Sequence, residues 1–219
     1  MTLDLFPDEP STLPAGSQEW LGPQAVVLRG RALALDRDLV QAIDTVTRQA
    51  PFRHMVTPGG QTMSVALSSC GPLGWVTDRR GYRYSPVDPQ TGMPWPAMPE
   101  VLQDLARQAA SDAGFANFEP DACLINCYEP GTRMGLHQDK DERDLSQPIV
   151  SVSLGIPALF QFGGLSRSER PARVPLFHGD VVVWGGVDRL RFHGILPMKN
   201  ATHPLLGERR INFTFRKAG

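Results

Sequence analysis

The sequence lacks several features that would define other classes of protein. It has no apolar run of the roughly 18 residues that suggest a membrane-spanning helix, and its acidic start, MTLDLFPDEP, contains no basic and apolar signal segment. It has only 3 cysteines and no CxxC motif, which favours free thiols in a reducing compartment. The formal net charge of −1 argues against a non-specific nucleic-acid coat protein. We therefore expect a cytoplasmic protein without membrane attachment.

The length and composition predict a β-rich globular chain. The 219 residues suit one domain with a short appended arm, and 41% hydrophobic residues exclude a mainly disordered chain. The 21 glycines and 20 prolines separate many short apolar runs, as turns separate strands. Helical periodicity is confined to residues 37–50, where Asp36 is a candidate N-cap, and to residues 98–113.

Most of the remaining periodicity is typical of strands. One strand is predicted at AVVLRG, residues 25–30, and further strands are predicted at 122–128, 149–155, 157–162, 174–177, 180–184, 189–193 and 209–216. Short antiparallel strands at this spacing, after two helices, indicate a jelly roll or a related barrel. Cys123 and Cys127 would share one face of the first of these later strands, as core residues do.

A candidate metal site begins at His137-Gln138-Asp139. Residues i and i+2 of an extended segment point the same way, so His137 and Asp139 can bind one ion together. A second histidine on a neighbouring strand would complete the two-histidine, one-carboxylate set that suits non-haem Fe(II) and leaves sites open for a co-substrate and O₂. Spacing alone does not choose the third ligand among the remaining histidines, which are His54, His178, His193 and His203.

The last predicted strand, RRINFTFRK, has two chemically different faces. Ile211, Phe213 and Phe215 alternate with Arg210, Asn212, Thr214 and Arg216. If the apolar face packs under helices, the arginines point into the barrel, where they need anionic partners, and a dicarboxylate ligand would supply them. The alternative is an edge strand with a solvated basic face. Asn126 and Tyr128 fall on one face of the strand at 122–128 and could bind the same ligand.

The segment from Trp75 to Trp95 combines aromatic residues with arginines among many prolines and glycines. Aromatic faces beside arginines can stack on bases and bind phosphates, so the segment could form an exposed lid over a nucleic acid. A proline-rich loop pinned by its own aromatic residues is the alternative.

Taken together, these residues resemble the AlkB family of Fe(II)/2-oxoglutarate-dependent dioxygenases, its bacterial DNA-repair members especially. The resemblance spans nearly the whole chain. Its strongest blocks are PFRHMVTPGGQTMSVA, GYRYSPVDPQTGMPWPAMP, PDACLIN, LHQDKDE, PIVSVSLG, FQFGG, HGDVVVWGG and RINFTFR.

The resemblance implies a mainly β (α+β) fold with a double-stranded β-helix, or jelly-roll, core and two covering helices. The core would span residues 119–219, an N-terminal extension with a nucleotide-recognition lid residues 24–118, and a flexible arm residues 1–23. It also selects His193 as the third Fe(II) ligand beside His137 and Asp139. The 2-oxoglutarate ligands would be Asn126, Tyr128, Arg210, Asn212 and Arg216, with the arginine for the distal carboxylate left open.

The implied reaction is oxidative demethylation of bases such as 1-methyladenine and 3-methylcytosine, with O₂ and 2-oxoglutarate as co-substrates and formaldehyde as a product. Single-stranded DNA is the expected partner of a monomeric enzyme, with double-stranded DNA and RNA as alternatives. The substrate-binding residues would be Thr57, Trp75, Tyr82, Tyr84, Asp141 and Arg167. Departures from the bacterial pattern leave the choice of lesion open and occur at Leu67, Cys127, Glu129 and Gly135.

Two other functions compete with this one. The first keeps the iron and 2-oxoglutarate but acts on RNA, a protein, a free nucleotide or a small molecule, and the aromatic and basic lid with Asp141 argues against the last three. The second is a non-catalytic nucleic-acid-binding module, which would have no need for a His-Asp-His set beside an Arg-x-Asn-x-Thr-x-Arg strand.

Overall fold

The chain forms two antiparallel β-sheets, a separate β-hairpin and two α-helices, and the computed structural model describes residues 14–219. The helices are α1, Asp36–Gln49, and α2, Glu100–Asp112. Within the described range the strands are β1 Gln18–Gly22, β2 Ala25–Leu28, β3 Ala66–Cys70, β4 Gly74–Asp78, β5 Gly81–Ser85, β6 Ala122–Tyr128, β7 Met134–His137, β8 Ile149–Gly155, β9 Ala158–Phe162, β10 Ala172–Leu176, β11 Val181–Trp184, β12 His193–Ile195 and β13 Arg210–Arg216.

The larger sheet has seven strands in the order β1-β2-β11-β8-β13-β6-β3, and the smaller has four in the order β10-β9-β12-β7. Buried apolar side chains of both sheets form one cluster between them, with Leu124 and Val182 from the larger sheet and Phe160 and Leu176 from the smaller. The sheets therefore pack face to face, as in the predicted jelly roll. The hairpin β4-β5 forms a separate two-stranded sheet.

The two helices cover the outer face of the larger sheet. Leu39 of α1 and Leu105 of α2 share a buried cluster with Ile211, Phe213 and Phe215 of β13. The apolar face of β13 thus packs under the helices, as its alternation predicted, and its polar face is left to point between the sheets. Every residue of β13 is buried.

Two details of the helix predictions need correction. Asp36 is the first residue of α1 and not its N-cap; Leu35 holds that position, without a capping side-chain hydrogen bond. The Asp36 carboxylate instead lies 3.5 Å from Nε2 of His178. The second helix begins at Glu100, directly after Pro99.

Six of the seven later strand predictions match an observed strand to within two residues at either end. The prediction at 189–193 is wrong: residues 186–188 form a 3-10 turn, and β12 begins only at His193. The alternating charged and apolar residues of this segment lie in consecutive turns and not in a strand. In these turns Arg189 N–H donates to the Gly186 carbonyl and Arg191 N–H to the Asp188 carbonyl.

The N-terminal segments contribute more to the sheets than the sequence indicated. Residues 18–22 of the predicted arm form β1, which pairs with β2 at the edge of the larger sheet, while residues 1–13 lie outside the described residues. Strand β3, from the predicted N-terminal extension, pairs with β6, from the predicted core. The boundary between these two parts at residue 118 stays a prediction. No helix within residues 14–219 combines the length and apolar character needed to cross a bilayer.

Phe213 offers a test of this packing. It has 0% exposure between the larger sheet and the helices, so Phe213→Ala should lower the free energy of unfolding by about 3–5 kcal/mol, measured by urea denaturation. Leu205→Ala, at a residue that is 40% exposed, is the control and should change that free energy by about 0.5 kcal/mol or less. Similar losses in both variants would contradict the assigned core.

Candidate active site

A cavity of about 580 Å³ opens between the two sheets and is bordered by the hairpin β4-β5. The larger sheet contributes the polar face of β13 together with side chains of β6, and the smaller sheet contributes β7 and β12. The predicted residues that line it are Thr57, Trp75, Tyr82, Asn126, Tyr128, His137, Asp139, Asp141, Arg167, His193, Arg210, Asn212 and Arg216.

The three predicted metal ligands meet at one end of this cavity. His137 ends β7 and lies directly opposite His193, the first residue of β12. Asp139 Oδ1 is 3.5 Å from Nε2 of His137, and Asp139 Oδ2 is 3.6 Å from Nε2 of His193. One potential ligand atom from each residue lies within 4.8 Å of the others. His54, His178 and His203 are absent from this group, so the geometry chooses the histidine that spacing could not.

Backbone contacts set which nitrogen of each histidine is free. Nδ1 of His137 lies 2.9 Å from the Gly135 carbonyl, and Nδ1 of His193 lies 3.1 Å from the Arg191 carbonyl. A carbonyl oxygen only accepts, so Nδ1 of each histidine carries a proton, and in the neutral ring Nε2 has the lone pair that can bind a metal. Two imidazole nitrogens and a carboxylate converging in this way fit a divalent transition-metal ion such as Fe(II).

Local charges keep the carboxylate of this group ionised. Burial raises the pKa of Asp139, but the positive charge of Arg216 and hydrogen bonds from the two histidines outweigh it, so the pKa lies well below its usual range. Burial and the neighbouring His137 lower the pKa of His193, which favours the neutral, metal-binding ring. For His137, burial lowers the pKa, but interaction with Asp139 raises it more strongly, so the net shift is upward.

Arg210 is a buried cation that has no anionic partner among residues 14–219. Its residue exposure is 1%, and Nε and Nη1 find no hydrogen-bond partner within residues 14–219. Nη2 donates to the Ser153 hydroxyl over 2.9 Å, and the guanidinium lies 5.0 Å from the ring centre of Tyr128. An unpaired buried guanidinium is costly, so this end of the cavity fits a carboxylate of 2-oxoglutarate.

Arg216 is bound differently. Its Nη2 donates to Asp139 Oδ2 over 2.6 Å and its Nε donates to the same oxygen over 3.0 Å, so it is already paired with a metal-ligand carboxylate. Between the two arginines, Asn126 Nδ2 donates to Asn212 Oδ1 over 3.2 Å, and Asn126 Oδ1 has no partner among the described residues. On the polar face of β13, therefore, Arg216 already has a carboxylate partner, whereas Arg210 has none among the described residues.

The hairpin β4-β5 brings aromatic side chains to the cavity. The rings of Trp75 and Tyr82 stack with centroids 5.6 Å apart and planes 18° apart. The Trp75 indole Nε1 donates to Asp141 Oδ2 over 3.0 Å. Tyr82 is half exposed. Trp95 does not belong to this exposed surface, because it is buried with Ala50 and Val76. Of the segment from Trp75 to Trp95, only Trp75 and Tyr82 line the cavity, and both lie in the hairpin.

Tyr84 is the predicted substrate residue that the structure does not bring to the cavity. It lies opposite Trp75 across the hairpin and does not line the cavity, and its hydroxyl donates to Glu142 Oε1 over 2.7 Å. Tyr82 and Tyr84 share one face of β5, because residues i and i+2 of a strand point the same way. Their different contacts follow from position along the strand, since Tyr82 lies opposite Thr77 and Tyr84 lies opposite Trp75.

Sequence reasoning missed two cations and one acid near the cavity. Arg133 and Lys140 are exposed residues that line the cavity on the side of β7. Both flank the metal motif in GTRMGLHQDKDE, which was the available signal. Glu142, in the same segment, is buried, and two arginines, Arg189 and Arg216, contact its carboxylate.

The chain belongs to the 2OG-Fe(II) oxygenase superfamily, whose family model matches residues 26–216. It is a dioxygenase that depends on Fe(II), 2-oxoglutarate and O₂, and the His-Asp-His group is its candidate iron site.

Within this superfamily the bacterial AlkB resemblance is confirmed. The chain is 57% identical to the alpha-ketoglutarate-dependent dioxygenase AlkB of Escherichia coli, over 99% of this chain and 98% of that protein. It is 30% identical to the tRNA demethylase abh1 of Schizosaccharomyces pombe, over 66% of this chain and 52% of that protein. The solved structure of OsALKBH1 matches with a TM-score of 0.81 and 28% identity, covering 92% of this chain and all of that one.

Proposed function

We propose that this dioxygenase removes N-linked methyl groups from 1-methyladenine and 3-methylcytosine in nucleic acid, with single-stranded DNA as its preferred form. We further propose that it acts as a monomer in the cytoplasm. The observation that supports the substrate most directly is the position of the Trp75–Tyr82 stack and Asp141 at the cavity that contains the His-Asp-His group. A flat aromatic surface and an anionic acceptor suit a cationic methylated base.

The residues of the cavity divide into binding roles. His137, Asp139 and His193 would hold Fe(II). Arg210 with Tyr128 would bind the 2-oxoglutarate carboxylate farther from the metal, and Arg216, Asn126 and Asn212 would contact the end nearer to it. When bound, iron and 2-oxoglutarate supply the oxidation, in which O₂ converts 2-oxoglutarate into succinate and CO₂ and hydroxylates the methyl group.

The protein must also present the base to the metal. The methyl groups of these lesions lie on the Watson–Crick edge, so the base has to leave the stack or come from a single strand. Trp75 would stack on the extruded base, and Asp141 would accept a hydrogen bond from its exocyclic amine. The hydroxymethyl group then leaves as formaldehyde, with the electrons of the C–N bond returning to the ring nitrogen and the hydroxyl proton lost to solvent. No protein nucleophile is needed.

Cations around the opening would bind the phosphates. Arg133, Lys140 and Arg167 are exposed at the cavity, and the hydroxyls of Thr57 and Tyr82 lie on the hairpin side. Such contacts bind the backbone without reading sequence, so they admit both DNA and RNA. Single strands need no unpairing, which favours them as substrates.

The direct test is a single-turnover demethylation. The protein is purified without oxygen, mixed with Fe(II), 2-oxoglutarate and a single-stranded oligonucleotide carrying one 1-methyladenine, and then exposed to air. We expect succinate, formaldehyde and loss of the methyl mass in equal amounts. Succinate without demethylation would keep the dioxygenase and reject this substrate; an RNA oligonucleotide demethylated faster than DNA would reverse the preferred partner.

Trp75→Ala should separate base binding from co-substrate chemistry. Stacking of a base on an aromatic ring contributes about 1–3 kcal/mol, so kcat/KM for the methylated oligonucleotide should fall roughly 5-fold to 150-fold. Succinate formation without oligonucleotide should stay unchanged. Trp20→Ala is the matched control, since Trp20 is 56% exposed on β1, and it should alter neither rate. Equal losses in both reactions of Trp75→Ala would remove its stacking role.

A further inference from the structure

Glu142 is a fully enclosed carboxylate with three partners. Only 2% of its side chain is exposed. The Tyr84 hydroxyl donates to its Oε1 over 2.7 Å, Arg216 Nε lies 3.2 Å from the same oxygen, and Arg189 Nη2 donates to Oε2 over 3.1 Å. A buried carboxylate is tolerated only when it is paired and hydrogen-bonded in this way. Its placement between two guanidinium groups therefore organises the surrounding side chains.

Both arginines of this network also reach Asp139. Arg216 Nη2 donates to the Asp139 carboxylate over 2.6 Å, and Arg189 Nη1 donates to the Asp139 backbone carbonyl over 2.7 Å. Glu142 therefore shares two cations with the central residue of the iron site. Partners of this kind orient the atoms that bind a metal.

The same acid reaches the hairpin through Tyr84. Trp75 and Tyr84 lie directly opposite each other on β4 and β5. Trp75 donates to Asp141 and Tyr84 donates to the next residue, Glu142. One cross-strand pair thus holds two consecutive acids of the segment that follows the metal motif. Burial raises the pKa of Tyr84 well above its usual value, so the hydroxyl keeps the proton that it donates.

We propose that Glu142 is a positioning residue that connects the base-binding hairpin to the iron site, through Tyr84 on one side and through Arg216 to Asp139 on the other. This rests on the proposed function in one respect, that the hairpin receives a nucleobase. The two hydrogen bonds of the hairpin, Trp75 to Asp141 and Tyr84 to Glu142, then behave differently when a base binds. Asp141 is exposed and can exchange the Trp75 indole for the amine of a base, whereas the enclosed Tyr84–Glu142 contact stays closed and keeps the hairpin in place during that exchange.

Tyr84→Phe tests the contact to the hairpin by removing one hydroxyl. A lost hydrogen bond to a charged group should raise KM for the methylated oligonucleotide about tenfold. Succinate formation without oligonucleotide and Mn(II) affinity should remain those of the wild type, and formaldehyde per succinate should fall. A KM and a formaldehyde-to-succinate ratio equal to those of the wild type would overturn this half of the proposal.

Glu142→Gln tests the contact to the metal site. The amide of glutamine carries no charge, and its nitrogen donates hydrogen bonds, as the arginine groups around it do. Arg216 therefore loses its ion pair with residue 142 and holds Asp139 less firmly. Mn(II) binding to the apoprotein, measured by titration calorimetry, should weaken about tenfold or more. Glu119→Gln is the matched control: Glu119 also pairs with an arginine, Arg107, but on an exposed surface. Wild-type Mn(II) affinity in Glu142→Gln would overturn this half.

The two arms separate this proposal from the proposed function. Mn(II) binding needs no nucleic acid, so it reports on Glu142 even if the oligonucleotide is not demethylated. Absence of formaldehyde from the wild type, together with weaker Mn(II) binding in Glu142→Gln, would reject the substrate and keep the link between Glu142 and the iron site.

Discussion

His137→Ala is expected to abolish demethylation and succinate formation while leaving the protein folded. The variant removes one of the three groups that converge on the proposed iron. Metal catalysis contributes several kcal/mol, so the rate should fall at least about 1,000-fold. His137 is the best of the three for this test because 39% of its side chain is exposed, against 7% for His193 and 10% for Asp139. Removing Asp139 would also leave Arg216 without its partner.

The measurements are succinate formation, Mn(II) binding and thermal unfolding. His203→Ala is the matched control, since His203 stacks on His178 with ring centroids 4.1 Å apart, much as His137 contacts His193 at 4.4 Å, but outside the cavity. The control should keep its activity. Loss of folding in His137→Ala would indicate a structural metal, and retained turnover would show that the iron ligands are elsewhere.

The sequence predicted the parts of this molecule that follow from strict alternation. In β13 the apolar residues pack under the helices and the polar residues face the cavity, because a strand between two different environments must sort its side chains by face. The same argument placed Asn126 and Tyr128 on one face of the strand at 122–128, and both line the cavity, where Asn126 forms a hydrogen bond with Asn212.

Alternation within a segment does not predict which other strand it pairs with. Strand β3 is short and pairs with β6, far along the chain, while β1 is a short edge strand that pairs only with β2. Local composition gave little signal for either. The charged and apolar alternation near Arg191 had the opposite effect and suggested a strand where turns occur. Local pattern predicts which face a residue occupies better than whether the segment pairs.

Charged residues were also hard to place from the sequence. HQDKDE contains a metal ligand, an exposed acceptor and a buried acid within four residues: Asp139, Asp141 and Glu142. Burial of Glu142 is favourable because Arg189 and Arg216, which are distant in the sequence, form ion pairs with its carboxylate. The choice between the two arginines of β13 likewise depended on which one already had a carboxylate partner.

Arg210→Met is expected to weaken 2-oxoglutarate binding strongly while sparing the fold. Truncating one member of a buried, hydrogen-bonded charge pair costs about 2–5 kcal/mol, so KM for 2-oxoglutarate should rise roughly 30-fold to several thousand-fold. The apoprotein should be as stable as the wild type or more stable, because the variant replaces a buried cation that has no anionic partner by an apolar side chain. The opposite signs of these two effects distinguish a ligand-binding arginine from a structural one.

Thermal unfolding with and without 2-oxoglutarate measures both effects at once. At 100 times its dissociation constant a ligand stabilises the wild type by about 2.7 kcal/mol, and the variant should lose most of this gain at the same concentration. Arg209→Met is the control, since Arg209 is the exposed neighbour that lies outside the cavity. If 2-oxoglutarate stabilised Arg210→Met as much as the wild type, the distal carboxylate would have to bind Arg216, and the unpaired Arg210 would need another anion.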